Sequence, residues 1–392
     1  MSLASNPWPY FEQDEIDAVS QTLMSGKINY WTGSACRLFE EEFAAFCKVN
    51  HGVALANGSV AIELALRALE IGSDDEVVVT PRTFMASASS MIMCGAKPVF
   101  ADIDPISQNI TAETIAKVLT PRTKAIIAVH LAGWPCDMDP INELAKRHGL
   151  KVIEDCAQAH GAMYKGRVVG SFGDMAAFSF CNDKIITTGG EGGMLLTNDY
   201  ELWKRAWSFK DHGRDYDEVN KTDHPPGFRW VCHTFGTNWR MTEMQAAIGR
   251  IQLRKLPKWL ERRRKNAAIL TKCFKTIPAL RVIEPTDSIE HAYYKYDVFV
   301  RPEKLKQDWS RDRILEAIEQ AGVVCRQGHC PEVYREKAFT KMGLHLMERL
   351  PIAKHLGETS LQFLVHPTLG DSEMGEICRI VNEVLIDASV AE

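Results

Sequence analysis

The chain has 392 residues, 45% of them hydrophobic and 25% charged, with a formal net charge of −5 at pH 7. These are ordinary globular values for a length that can bury a large core and divide into two domains, and the negative balance argues against nucleic acid as the main partner. No apolar run approaches the roughly 18 residues that cross a membrane, so no membrane partner is expected.

The first seventeen residues, MSLASNPWPYFEQDEID, lack a basic region followed by an apolar stretch. A secretory signal is therefore not expected and the setting reads as cytoplasmic. Met1-Ser2-Leu3 has the look of a cloning remnant. The 11 cysteines are an odd number without a C-x-x-C pair. Buried free thiols in a reducing compartment explain them better than disulfides or a zinc site. The sequons at Asn57 and Asn109 then read as chance matches.

A helix is expected over 13–25, lying near a smaller domain or a partner subunit. From about 50 to 200, apolar runs suited to strands (53–56, 76–80, 97–102, 125–130, 151–155, 175–180, 194–197) alternate with helical patterns such as 61–69, 86–94 and 140–147. Near-continuous apolar strands separated by helices imply βαβ units. The expected class is α/β, a mostly parallel central sheet with helices on both faces. Past Glu243 a long helical stretch over 244–268 leads out of this region. We expect a large domain over 1–260 and a smaller α+β domain over 261–392, with a strand at 296–300 and helices at 311–321 and 373–385.

Residues 151–198 carry the chemistry. An apolar strand ends on Asp155, with the amide Gln158 three residues on. A second apolar strand leads to Lys184, which enters a loop containing Gly189, Gly190, Gly192 and Gly193. Ligands of open α/β sheets collect outside the carboxyl ends of the strands. A carboxylate there and a lysine in a small-residue loop are the two groups that a pyridoxal 5′-phosphate (PLP) enzyme needs, one for the pyridine nitrogen and one for the Schiff base. Burial and cationic neighbours are what make such an amine nucleophilic. Either motif alone reads equally as a polar strand cap or a solvated lysine; their co-occurrence carries the argument.

Asn57-Gly58-Ser59 falls between a strand and a helix, where free N–H groups, the helix dipole and the Ser59 hydroxyl suit a phosphate, although plain capping gives the same sequence. Ser179, five residues before Lys184, could add a second hydroxyl. In Thr237-Asn238-Trp239-Arg240-Met241-Thr242-Glu243, a capping box from Thr242 to Gln245 is expected, and Asn238 and Arg240 suit a phosphate or an acidic substrate.

With these motifs in hand, the chain resembles the DegT/DnrJ/EryC1/StrS group of PLP-dependent sugar aminotransferases, within the aspartate-aminotransferase-like type I fold. The resemblance runs from about Pro9 to Leu385 and includes LMSGKINYWTG, NGSVAIELALRAL, VVVTPRTFMASASSM, GAKPVFADID, AVHLAGWPCDMDPI, IEDCAQAHGA, FSFCNDKIITTGGEGGML and TNWRMTEMQAAIG. It implies that Lys184 is the Schiff-base lysine, that Asp155 faces the pyridine nitrogen, and that Gln158 lies by the ring and its 3′-oxygen. It makes Gly58, Ser59 and Ser179 phosphate ligands, Phe84 a ring-stacking residue, and Asn238 a phosphate ligand reaching across an obligate homodimer. Arg240 becomes a nucleotide-sugar contact across the same interface. Two positions depart from the family pattern: Ser59 replaces the usual Thr, and the loop reads TTGGEGG where many members read TTGEGG. A branch that dehydrates sugars carries His in place of the lysine, and Lys184 argues against it.

The reaction implied is a ping-pong amino transfer from L-glutamate to the ketone of a nucleotide-linked deoxy sugar. Segments such as RQGHCPEVYREKAF and GETSLQFLVHPTL resemble members from surface-polysaccharide pathways, which points to a UDP- or dTDP-linked 4-keto-6-deoxyhexose. Two alternatives stay open: an aminotransferase on a non-nucleotide ketone, as in aminocyclitol or aminohydroxybenzoate pathways, and a PLP-binding homologue without activity. A dinucleotide oxidoreductase is disfavoured because no G-x-G-x-x-G follows the first strand. Tyr294, Lys295 and His329 lie in segments that could face substrate, and each reads equally as packing or surface.

Overall fold

The computed structural model describes residues 7–390; Met1-Ser2-Leu3, the rest of 1–6, and 391–392 lie outside the described residues. Nine strands form the first half: β1 (His51–Leu55), β2 (Glu76–Val79), β3 (Lys97–Phe100), β4 (Thr123–Val129), β5 (Lys151–Asp155), β6 (Met163–Tyr164), β7 (Arg167–Val168), β8 (Met175–Ser179) and β9 (Gly193–Thr197). Seven of them make one sheet in the order β1-β9-β8-β5-β4-β2-β3. The β3, β2, β4, β5 and β8 strands pair in parallel, while β9 runs antiparallel to both its neighbours. The seven sheet strands expected from apolar runs all form, with ends within two residues of the expectation, and the class is α/β as expected.

Both faces of the sheet are covered, which is why its strands are apolar throughout. On one face Val77, Val79, Ile127 and Ile153 pack with the helices Gly58–Ala68 and Ala86–Met93. On the other, Val78, Ile126 and Val152 pack with helix Met138–His148. Among the helices that the expectations did not name, two pack on this sheet. In Ala35–Cys47 the apolar residues Cys36, Phe39, Phe43 and Cys47 recur at helical spacing and are buried. In Tyr200–Lys210 the helix starts where Asp199 accepts the N–H groups of Glu201 and Leu202.

The long helix is one element, Glu243–Phe274, of 32 residues. It opens with the expected capping box between Thr242 and Gln245 and continues through Pro257, which lacks the N–H of an ordinary turn. Its first half packs through Leu253, Leu256 and Leu260 against the core under β8, and its second through Ala267, Leu270 and Phe274 against a separate core. That second core belongs to a four-stranded antiparallel sheet of β10 (Leu280–Arg281), β12 (Tyr296–Val300), β14 (Ser360–Phe363) and β13 (Cys325–Arg326). Helices Arg311–Gln320 and Asp371–Ala388 cover it. The remaining strand, β11 (Ile289–Glu290), joins the β6–β7 hairpin. The N-terminal helix Gln13–Met24 lies along the long helix, where Lys255 meets Glu12, Asp14 and Glu15 at 2.7–2.8 Å. Among the described residues, no helix is long and apolar enough to cross a membrane.

Replacing the fully buried Leu270 by Ala should lower unfolding free energy by about 2–5 kcal/mol, measured by urea denaturation. Three histidines, His160, His291 and His366, are buried, and burial pushes the pKa of each down from 6.5 to about 3. His160 lies between Phe178 and Phe180. A folded-state pKa below the unfolded value means that the unfolded chain binds the proton first. Their contribution to stability is complete above pH 6.5 and declines as pH falls from 6.5 toward 3. Melting temperature should therefore drop between pH 7 and 5, and His160→Leu should flatten that slope in circular-dichroism melts.

Candidate active site

The carboxyl ends of β1, β8, β5 and β4 open into a cavity of about 970 Å³ that reaches from the central sheet to the second, smaller sheet. Gly58, Ser59, Phe84, Asp155, Gln158, Ser179 and Lys184, distant in sequence, all line it.

At one end the helix Gly58–Ala68 begins, capped by Asn57, whose Oδ1 accepts the N–H of Val60 at 3.0 Å. The helix start is pressed against the ends of β8 and β9. A Cβ on Gly58 would come 2.5 Å from that of Ser179, and a Cβ on Gly193 would come 2.3 Å from the Asn57 carbonyl oxygen. Only glycine permits this approach. The result is a cradle of helix N–H groups with the Ser59 and Ser179 residues beside it, the donor set that a phosphate requires.

Asp155 forms the floor. It is buried, its Oδ2 accepts the Ser87 hydroxyl at 2.7 Å, and its Oδ1 accepts the Ala157 N–H at 3.1 Å. Ser87 is in turn bonded to Thr83 at 2.8 Å. Gln158 Oε1 accepts the Ala132 N–H at 2.7 Å, which fixes its side chain along the wall. The adjacent residue on β5, Glu154, points to the opposite side of the strand. It is held by His130 Nε2 at 3.0 Å and by the N–H groups of Gly170, Phe172 and Gly173. Although burial opposes its charge, these hydrogen bonds hold its pKa below the usual carboxylate value.

Lys184 lies in the connection from β8 to β9. Its Nζ sits 4.8 Å from the centre of the Tyr294 ring, and its backbone oxygen accepts the indole N–H of Trp8 at 2.9 Å. The extra glycine of the TTGGEGG loop has a local cause: Gly189 and Gly190 take φ of +88° and +119° in succession, a path that L side chains resist. Phe84 stands at the mouth, 68% exposed.

Facing the lysine, the second-sheet side contributes Tyr294, Lys295, Arg326, His329 and Gln362. The Tyr294 hydroxyl donates to Asp183 Oδ2 at 2.5 Å, and Lys295 Nζ lies 3.6 Å from the same oxygen. Burial, followed by the neighbouring Asp183 charge, raises the Tyr294 pKa well above 10, so the phenol keeps its proton. Burial lowers the pKa of His329 to about 4, leaving a neutral imidazole near pH 7. Behind this wall the buried Arg82 donates to Gln108 at 2.9 Å and to Ser360 at 3.1 Å, tying the segment after β2 to β14.

Asn238 and Arg240 do not line the cavity of their own chain. Their segment runs beside the end of β1, where the Trp239 carbonyl accepts the Ala56 N–H at 2.9 Å. Asn238 is exposed, whereas the Arg240 guanidinium is paired with the fully buried Asp211. Within one chain, Arg240 is therefore a clamp on this segment. Sequence reasoning missed Ser87, Asp183 and Trp8. Ser87 stands three residues after Phe84 in the same PRTFMAS segment and Asp183 immediately precedes Lys184, so both were readable signals; Trp8 reaches the site only through the fold.

The chain matches the DegT/DnrJ/EryC1/StrS aminotransferase family over residues 9–382. It is 37% identical over 364 residues to the GDP-perosamine synthase of Caulobacter vibrioides, covering 91% of this chain and 92% of that one. Over 361 residues it is 35% identical to the UDP-N-acetyl-3-dehydro-alpha-D-glucosamine 3-aminotransferase of Acidithiobacillus ferrooxidans, covering 90% and 89%. A crystal structure of an aminotransferase from Psychrobacter cryohalolentis superposes with a TM-score of 0.95 at 53% identity, covering 97% and 98%. With that family match spanning nearly the whole chain around a strand-end carboxylate and a loop lysine, the protein belongs to the DegT/DnrJ/EryC1/StrS aminotransferase family and is a PLP-dependent transaminase.

Proposed function

We propose that the cavity holds PLP and that the protein transfers an amino group from L-glutamate to the ketone of a nucleotide-linked sugar. The single observation that carries this reading is the convergence of Lys184, Asp155 and the Gly58–Ser179 cradle in one cavity. The donor set fits the group: a helix N-terminus and hydroxyl side chains for a phosphate, and a buried carboxylate for a pyridinium nitrogen. Bound there, PLP supplies the electron sink that lets the α-proton of an amino acid leave.

The chain's own residues divide the remaining work. Asp155, oriented by Ser87 and the Ala157 N–H, would hold the proton on the ring nitrogen. Gly58, Ser59 and Ser179 would hold the phosphate, and Gln158 and Phe84, which line the same cavity, would contact the ring. Lys184 Nζ would hold the cofactor, and the same amine, when free, would serve as the base for the donor's α-proton, a role worth roughly 10²–10⁴-fold. Relatives named for a GDP-linked product and for a UDP-linked keto sugar support a nucleotide sugar as acceptor and, by their difference, leave this chain's nucleotide to assay.

The homodimer belongs to the same proposal. Phe228, Trp230 and Phe235 stand 77–100% exposed in the segment leading to Asn238. Aromatic surface of that kind suits burial against a second copy, which brings Asn238 to the partner's phosphate and Arg240 to its sugar substrate. A division into domains 1–260 and 261–392 fits the change of core between Leu260 and Ala267. Eleven free cysteines suit a reducing cytoplasm.

Four outcomes are expected. Purified protein mixed with PLP should gain the absorption of lysine-bound cofactor, and L-glutamate should convert it to the amine form. The Lys184→Ala variant should fold, lack that absorption, and lose turnover; full retained activity would sink the assignment. Light scattering should give twice the 44.0 kDa chain mass, and Asn238→Ala should weaken PLP retention while the protein remains dimeric.

A further inference from the structure

The wall opposite Lys184 carries an imbalance of charge that the roles above do not use. Three cations gather around Asp183: Lys184, Lys295 and, behind them, the buried Arg263. Asp183 already accepts the Tyr294 hydroxyl at 2.5 Å. Its Oδ2 is 3.6 Å from Lys295 Nζ, beyond the 2.7–3.2 Å of an N–H···O bond. Arg263 donates to the carbonyls of Tyr293 and Tyr294, so it stays in the wall. The remaining ammonium is Lys295: its side chain is 16% exposed, lines the cavity, and stands 4.7 Å from the Tyr294 ring whose centre lies 4.8 Å from Lys184 Nζ.

An ammonium has three N–H donors, and a partly desolvated one whose acceptor lies 3.6 Å away and is shared leaves donors to be filled. Asp183 is the counter-charge at 3.6 Å, but the same oxygen already takes the Tyr294 hydroxyl, and His329, bonded to Gln362 at 2.9 Å, adds no negative charge. A ligand anion entering the cavity would supply it. We propose that Lys295 is a specificity-determining residue whose ammonium takes an anionic oxygen of a substrate, either a carboxylate of the amino donor or a phosphate of the nucleotide. The inference rests on the reading of Lys184 as the cofactor lysine, because that reading makes the facing wall the substrate side. Tyr294, held by Asp183, sets the distance between the two amines.

The test uses the full chain with Lys295→Gln and Lys295→Arg. One arm titrates PLP-loaded protein with L-glutamate and follows cofactor absorbance. The other measures UDP and GDP binding by calorimetry, with and without PLP. Loss of a charged hydrogen bond predicts a rise of at least about tenfold in one half-saturation for the Gln variant, with recovery in the Arg variant. A rise confined to glutamate identifies the donor carboxylate, and one confined to the nucleotides identifies the phosphate. Unchanged values in both arms overturn the proposal. So does failure of the Gln variant to load PLP where the Arg variant loads, since the ammonium would then serve the cofactor. If the wild-type protein itself gains no lysine-bound absorption, the reading of Lys184 fails, and the cofactor-free calorimetry still decides whether Lys295 grips a phosphate.

Discussion

The contact between the start of helix Gly58–Ala68 and the ends of β8 and β9 governs this molecule. Gly58 against Ser179 and Gly193 against Asn57 leave no room for a side chain on either glycine. That approach sets the helix N-terminus level with the sheet edge, where its N–H groups face the cavity. The same two strands flank the loop that carries Lys184, so the cradle and the amine are placed by one piece of packing. Neither glycine could be replaced without separating them, because the atoms in the way are backbone or Cβ atoms that cannot rotate aside.

Around that contact, polar groups are placed by opposite faces of one strand. On β5, Asp155 points to the cavity and is steered by Ser87, while Glu154 turns away into a nest of three backbone N–H groups and His130. Strand alternation separates a carboxylate available to a ligand from one fully engaged in holding the 170–173 turn. The opposite wall is held just as firmly. Arg82, Gln108, Asp297, Gln362 and His329 form a buried chain of hydrogen bonds from the segment after β2 to β14. It ties the second-sheet side of the cavity to the first, with Arg82 Nη1 the member left without a hydrogen-bond partner.

Much of this was legible in the residues. Continuous apolar runs such as AIIAV and MAAFS identify buried strands, and all seven strands of the central sheet were readable. The short strands Leu280–Arg281 and Cys325–Arg326 were not, because two residues carry no period and form only where β12 and β14 offer partners. The helix Ala35–Cys47 had a clear apolar stripe and was readable in principle. Pro257 argues locally for a helix end, yet packing on both sides carries the long helix past it to Phe274. Asp155 and Lys184 stood out because their chemistry is local: a strand end followed by an amide, and a lysine before a run of glycines.

Sequence was sufficient for the class of fold, for the strands of the central sheet, and for singling out Asp155 and Lys184, since each follows from periodicity or from residues close together in the chain. Folding was needed for Trp8 on the Lys184 carbonyl, for Asp183 beneath Tyr294, and for Lys295 across the cavity, where partners lie more than a hundred residues apart. It was also needed to show Arg240 engaged by Asp211. Hydrogen bonds and ion pairs act over a few ångströms of space, and separation along the chain carries no information about that distance until the sheets and helices have packed.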